Sequence, residues 1–470
     1  MASEDTTGML ADDEAERMLR LEDGGLNPDV IEDVERWVEE GDAEALRAFS
    51  EDLHESDVAD ILVALSKDEQ SAFVQLLGDA FDFATLTELD ENLRVRLLDA
   101  MEPEVVAAGV AELDSDDAVY ILEDLDEEAQ ADILRQMPSV DRLALQRALD
   151  YPEETAGRRM QSDFIAVPPF WNVGRTIDYM RDASDLPDEF HEIFVVDPAY
   201  HLQGSISLNR LLRTKRPVKV SEIMEDEPYK IDANVDQEEA AYVFQRYNLV
   251  SAAVVDDEGR LVGVLTVDDI VDVIQEEAEE DLRALAGVGD EEVSDSVTTI
   301  TRSRLPWLVI NLATAILASL VIGYFDATIE QMVALAILMP IVASMGGNAA
   351  TQTMTVAVRA IATRELSVRN MSRVIGRETV IGIINGLVFA VLMGTIAALW
   401  FGNGQLGGVI GAAMIVNMLA AGLAGILIPV ALDKAGADPA IASGPFVTTV
   451  TDVVGFFAFL GFAAWWFGLS

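Results

Sequence analysis

The sequence predicts a multidomain chain: an all-α superhelical N-terminal domain, a doubled α+β pair, a long connecting helix, and an all-α membrane domain with five transmembrane helices. Three observations predict it. Charge divides the chain, because six basic and seven acidic residues lie from Leu305 onward and 25 basic and 76 acidic residues precede it. Hydropathy divides at the same place, since five long apolar stretches follow Leu305. Between about Thr155 and Gln275 a strand–turn–strand–helix pattern occurs twice.

Residues 1–150 read as short amphipathic helices. Val58–Leu65, Val119–Leu125 and Ala131–Met137 repeat an apolar i, i+3, i+4 pattern. Acidic turns such as Leu113–Asp117 lie between them, with Ser115 or Asp116 as a natural N-cap. Such a run of helix pairs implies a superhelical stack that serves interaction or regulation. Met1–Glu16 is acidic rather than basic and then apolar, so it is read as a cytoplasmic N-terminus and not as a signal peptide.

The net charge of −52 excludes a nucleic-acid partner, whose phosphates this surface would repel. With 26 Arg against five Lys, the acid excess favours life in a salt-rich cytoplasm. The chain has no Cys, which removes disulfides and thiol chemistry. His54, His191 and His201 are scattered without a nucleophile or metal spacing, so no enzyme activity is expected.

The doubled region divides into residues 151–215 and 216–275. The first copy carries Glu192–Asp197 and then Gly204–Ser207; the second carries Ala252–Asp256 and then Gly263–Asp269. Two such copies resemble a tandem pair of CBS domains, a family that often binds adenine nucleotides in its cleft. The resemblance implies that a Thr or Ser followed three residues later by Asp holds a ribose, which Thr266 and Asp269 match. Arg210 follows Ser207 at that spacing in the first copy, so the pattern there is incomplete. ATP is therefore a candidate ligand of the second copy.

Val267–Asp281 reads as one long helix leading into a connecting segment over residues 276–304. Asp269, Asp272 and Glu276 share one face at i, i+3 and i+7, and Glu277, Glu280 and Asp281 form a second acidic stripe. Like charges at this spacing cost a few tenths of a kcal/mol per pair. A divalent cation bridging the helix to another acidic surface would relieve that repulsion. On composition alone, a solvated acidic face is the competing reading.

In residues 305–470 the apolar stretches are Leu305–Phe325, Ile329–Val358, Val374–Phe401, Leu406–Leu432 and Ile441–Phe467. Each is long enough to cross about 30 Å of hydrocarbon. Arg302 and Arg304 precede the first, Arg359, Arg364, Arg369, Arg373 and Arg377 crowd the loop after the second, and Lys434 follows the fourth. The positive-inside rule places these loops in the cytoplasm, with Ser470 outside.

The second stretch contains Pro340 and Gly346–Thr353, which reads as a broken, glycine-rich segment facing protein or water. The fifth contains Thr448, Thr449, Thr451 and Asp452, and Asp452 reads as the only acid well inside a span. A carboxylate at a helix centre costs about 2.5–3.5 kcal/mol, so an ion path and a hydrogen bond to a neighbouring helix are its two readings. Mg²⁺ suits the path, because it takes oxygen ligands and keeps its waters. One Asp per chain is a thin site, and a two-fold homodimer would double it.

These residues together resemble the MgtE family of magnesium channels over nearly the whole chain. The motifs are Glu154–Met160, Thr266–Asp269 with its acidic helix, Gly346–Gln352, Arg359–Glu365 and Asp438–Ala440 leading to Pro445, Thr449 and Asp452–Gly455. The resemblance implies a homodimer in the cell membrane with a central pore, Asp452 of both chains holding hydrated Mg²⁺, and Gly347, Asn348, Thr448 and Thr449 lining the path. It also implies that cytoplasmic Mg²⁺ bridges Asp269, Asp272, Glu277, Glu280 and Asp281, with Asp116 as the N-domain partner. Four positions depart from the family pattern: Asn248, Ala84, Ala350 and Gly444. The alternatives are a channel for Co²⁺ or Ca²⁺, and a membrane-anchored adenine-nucleotide sensor without ion flux.

Overall fold

The structure, a computed structural model, describes residues 19–468 except 22–23, 52, 184–185, 188–189, 290, 292–296 and 367–368. Met1–Glu16 and the terminal Ser470 lie outside the described residues. The chain divides into two compact units, Met1–Ile274 and Gln275–Ser470.

The first unit opens with short helices: α1 (Pro28–Glu40), α2 (Ala43–Ser50), α3 (Glu55–Ala64), α4 (Lys67–Leu77), α5 (Glu91–Asp99), α6 (Pro103–Val110), α7 (Ser115–Glu123), α8 (Glu127–Gln136) and α9 (Ser139–Leu149). Part of the acid excess has a local role, because Asp42, Asp90 and Asp126 accept backbone N–H groups at the starts of α2, α5 and α8. Each such cap satisfies a donor that the helix cannot.

A recurring bond joins successive helices. Gln70 on α4 donates to the carbonyls of Leu62 and Leu65, at 2.9 and 3.0 Å. Gln130 on α8 does the same to Leu122 and Leu125, at 2.7 and 3.1 Å. Arg94 on α5 takes the same part toward Leu86 and Leu89, at 3.2 and 3.3 Å. Each is the fourth residue of its helix and spans the same two steps back, so one long polar side chain ties each helix to the segment just before it. One continuous core follows, from Leu19 through Phe73, Leu97 and Ile121 to Ala148.

Two three-stranded sheets follow: β1 (Ala166–Val167), β2 (Glu192–Val196) and β3 (Leu202–Ser207), then β4 (Lys230–Asp232), β5 (Ser251–Val255) and β6 (Leu261–Thr266). In each sheet the outer pairings are parallel and then antiparallel, with a register shift one residue from the end of the middle strand. Helices α10 (Val173–Asp182), α11 (Leu208–Leu212) and α12 (Gln237–Tyr247) complete the copies. The two share a core of Phe194, Val196, Ala253, Leu261 and Val264. This is the doubled α+β arrangement that the sequence predicts.

Helix α13 (Val267–Ala286) begins directly after β6 and crosses the boundary between the units. The second unit then holds α14 (Val297–Tyr324), the short α15 (Asp326–Gln331), α16 (Ala334–Ala362), α17 (Met371–Phe401), α18 (Gly404–Lys434) and α19 (Pro439–Phe467). Five of these are long and apolar enough to cross a membrane. Aromatic pairs cluster at helix ends that alternate direction brings to one side: Tyr324–Phe325, Trp400–Phe401 and Trp465–Trp466. Such girdles mark a membrane–water interface.

Three local expectations are corrected. Ile329 does not open the second span but lies in α15, separated from α16 by a break at Met332 and Val333. The second span is not broken at its glycines, because α16 runs without interruption through Pro340, Gly346 and Gly347. Gly346 makes room for the Asn417 side chain of α18, whereas a Cβ on Gly347 would meet open space. Neither Ser115 nor Asp116 is the N-cap of α7; Asp114 takes that position. The Ser115 hydroxyl is committed elsewhere, accepting the Ser162 N–H at 2.6 Å.

Small residues also set the packing of α17 on α18. A Cβ on Gly407 would lie 2.3 Å from the Gly394 carbonyl oxygen, and one on Gly386 would lie 2.8 Å from the Ile415 Cα. Lipid supplies no hydrophobic drive between helices, so such close backbone contact holds them together.

Candidate metal centres and membrane path

Three groups of residues collect the chemistry. The first lies in the amino-terminal unit, where the start of α7 meets the start of α13. Asp116 is buried, and among the described residues its Oδ1 has no hydrogen-bond partner. Its carboxyl lies close enough to that of Asp269 to share a proton. Burial first, then the charges of Asp269 and Asp117, drive Asp116 well above the usual carboxylate range. Asp117 is pushed up to about 7 by burial and then by Asp269, Asp114, Asp268 and Asp272. Burial also lifts Asp269 to about 6, although the Thr266 hydroxyl donates to its Oδ2. Partial burial and then Asp268 raise Asp272, against the opposing charge of Arg159.

Burial and mutual repulsion therefore both oppose the negative charge on this face. A buried acceptor without a donor, ringed by carboxylates, is the chemistry of a hard-cation site. Among the described residues no three acidic or histidine side chains already converge in metal-ligand geometry. An ion that keeps most of its waters and touches one or two carboxylates fits that arrangement, and Mg²⁺ is such an ion.

The structure brings Asp116, Asp269 and Asp272 together and adds Asp114, Asp117 and Asp268, which sequence reasoning did not select. The signal was available in the run Asp114–Asp117, whose partner face is visible only in the fold. Two of the departing positions have local explanations. Asn248 ends α12 in the left-handed region (φ 52°), a conformation that Asn tolerates better than most residues. The N–H of Ala84 is held by the Asp82 carboxylate at 3.0 Å, so Asp82 serves as a cap there.

The second group lies in the carboxy-terminal unit. Glu277, Glu280 and Asp281 are half-buried along the later turns of α13. Burial and then the charge of Asp438, the N-cap of α19, raise Asp281. Beyond them, Ala284 packs with Ala350, Met354 and Val358 of α16, Ala421 of α18, and Ala440 and Val447 of α19. The last turn of the connecting helix is thus packed against three membrane helices.

The third group lies along α16 and α19. Asp452 stands near the middle of α19, half-buried, and among the described residues its carboxylate has no hydrogen-bond or ion-pair partner. Thr448 and Thr449 sit one turn earlier on the same face; their hydroxyls donate to the carbonyls of Gly444 and Pro445, leaving their lone pairs free to accept. On α16, Ser344, Asn348, Thr351 and Thr355 are all exposed at i, i+4, i+7 and i+11, with half-buried Gly347 beside them.

A second acid lies near the start of the third span. Glu378 on α17 is buried, near the Thr353 hydroxyl at 3.4 Å and the Arg377 guanidinium at 3.2 Å. It borders a cavity of about 400 Å³ lined also by Gln352 and Asn385. Sequence reasoning passed over it because it lies close to the arginine-rich loop.

Comparison with known proteins finds relatives along most of the chain. A family model described as the MgtE divalent cation transporter matches residues 339–462, the MgtE intracellular N domain matches 53–154, and the CBS domain matches 220–276. Magnesium transporter MgtE of Thermus thermophilus is 31% identical over 440 residues, covering 92% of this chain and 97% of its own. Magnesium transporter MgtE of Enterococcus faecalis is 33% identical over 320 residues, covering 68% and 71%. Among solved structures, the cytosolic domain of the Mg²⁺ channel MgtE in complex with ATP matches at 27% identity and a TM-score of 0.48, covering 51% of this chain and 98% of that one.

Proposed function

Because this chain belongs to the MgtE family of magnesium transporters, we propose that it carries Mg²⁺ through a path completed by a second copy of itself and closed by cytoplasmic Mg²⁺. The observations that carry this reading are the uncovered polar stripe of α16 and the unpartnered Asp452 in the middle of α19. In contact with lipid, both would be costly. Facing a two-fold mate, the same groups line water. Two carboxylates would then flank a hydrated dication, with Asn348 and the threonine oxygens accepting hydrogen bonds from its waters. Oxygen donors alone suit Mg²⁺ and disfavour soft metals.

The gate follows from α13. Its first turn carries Asp269 in the crowded acidic face with Asp116 and Asp117, and its last turn seats Ala284 on α16, α18 and α19. When cytoplasmic Mg²⁺ is plentiful, the ion offsets the repulsion and holds the helix in the closing position. When it falls, the carboxylates repel and the helix is released. Only the difference in Mg²⁺ affinity between the closed and open arrangements drives the change. The basic loops between the spans support a cytoplasmic position for that gate. A nucleotide at Thr266 and Asp269 would have to share Asp269 with the ion face, so Asp269 is assigned to Mg²⁺.

Mg²⁺ uptake into proteoliposomes tests the path. The wild type takes up Mg²⁺, and Asp452→Ala falls to the background of empty liposomes. Uptake at the wild-type rate by Asp452→Ala rejects the path.

A further inference from the structure

We infer that Asn417 is a positioning residue, which pins α16 and α19 to α18 and so fixes the width of the path at Asp452. Asn417 lies in the most buried of the membrane helices and is itself fully buried. Its Nδ2 donates to the Val342 carbonyl of α16 at 2.7 Å. A Cβ on Gly346 of α16 would stand 2.2 Å from that Nδ2, and one on Gly455 of α19 would stand 2.9 Å from it. One amide therefore touches both helices where each has given up its side chain. Gly455 follows Asp452 by three residues, and Gly346 precedes Asn348 by two.

The amide is not there for stability alone. Its Oδ1 has no partner among the described residues, and a buried amide oxygen left unpaired is unfavourable. Leu has a similar volume and would fill the site without that cost. A single polar residue in an apolar helical core instead fixes register, as one buried Asn does in a coiled coil. The registers fixed here are those of the two helices that bear the polar residues of the path. Mg²⁺ demands near-ideal geometry, whereas Ca²⁺ accepts longer and more flexible coordination. Loosening the pin would therefore admit the larger ion. The inference rests on the reading of Asp452 as the path residue.

The test compares Mg²⁺ and Ca²⁺ influx into proteoliposomes for wild type, Asn417→Ser, Gly455→Ala, the Asn417→Ser/Gly455→Ala double variant and Asp452→Ala. Asn417→Ser is expected to shift the Mg²⁺-to-Ca²⁺ ratio toward Ca²⁺ by about threefold, the size of one intramembrane hydrogen bond. Gly455→Ala is expected to lose Mg²⁺ influx, and the double variant to recover much of it, because the added methyl takes the space that the amide vacates. A wild-type ratio in Asn417→Ser overturns the inference even if Gly455→Ala does not fold, and so does a double variant no better than Gly455→Ala. Wild-type influx in Asp452→Ala overturns the path itself, which separates the two failures.

Discussion

Replacing Asp117 by Asn probes the charge crowded between α7 and α13. Folding lifts this carboxyl from 3.8 to about 7, chiefly through burial and then through Asp269. At 1.36 kcal/mol per unit, a shift of about three units amounts to about 4 kcal/mol working against the docked arrangement once the group is charged.

The sign follows from proton counting. The folded form holds this proton between about pH 4 and pH 7 and the unfolded chain does not, so this face is most stable in acid and weakens as pH rises through about 7. Hydrogen exchange of the full chain in detergent with EDTA reads this directly. Protection of the starts of α7 and α13 should fall from pH 5 to pH 8 in the wild type and much less in Asp117→Asn. Saturating Mg²⁺ should flatten the wild-type profile, since the ion replaces the protons. An unchanged pH slope in Asp117→Asn would refute the reasoning.

Three further outcomes are expected. Neutralising Glu277, Glu280 and Asp281 together should make limited proteolysis of the amino-terminal unit indifferent to Mg²⁺; persistent Mg²⁺ protection would remove these acids from the gate. Arg94→Ala should destabilise the helical domain by about 3–5 kcal/mol, because it strands Asp124, 2.5 Å away, and frees two buried carbonyls; a urea midpoint within error of wild type would contradict this. Gly407→Ala must force its methyl toward the Gly394 carbonyl and should cost about 1–3 kcal/mol, read as a lower melting temperature in detergent.

Much of the architecture was legible because each element carries its own periodicity. The five spans, the doubled strand pattern and the acidic helix are local signals, and each appears within a few residues of its predicted place. The errors arose where a residue type has two uses. Gly346 was read as a backbone breaker, but its bare Cα makes room for Asn417 from another helix. Ser115 was read as a cap, but its hydroxyl is taken by the backbone of Ser162, 47 residues along the chain.

By itself the sequence determined the membrane half, its five apolar spans and the divided charge, and it singled out Asp452 as a candidate, since hydropathy and charge are properties of a linear string. Only the tertiary structure decided which carboxylates crowd one another. Burial that no local pattern records, and then Asp269, more than 150 positions away, push Asp116 and Asp117 up. Burial and repulsion depend on distance through space, and a chain fixes that distance only when it folds.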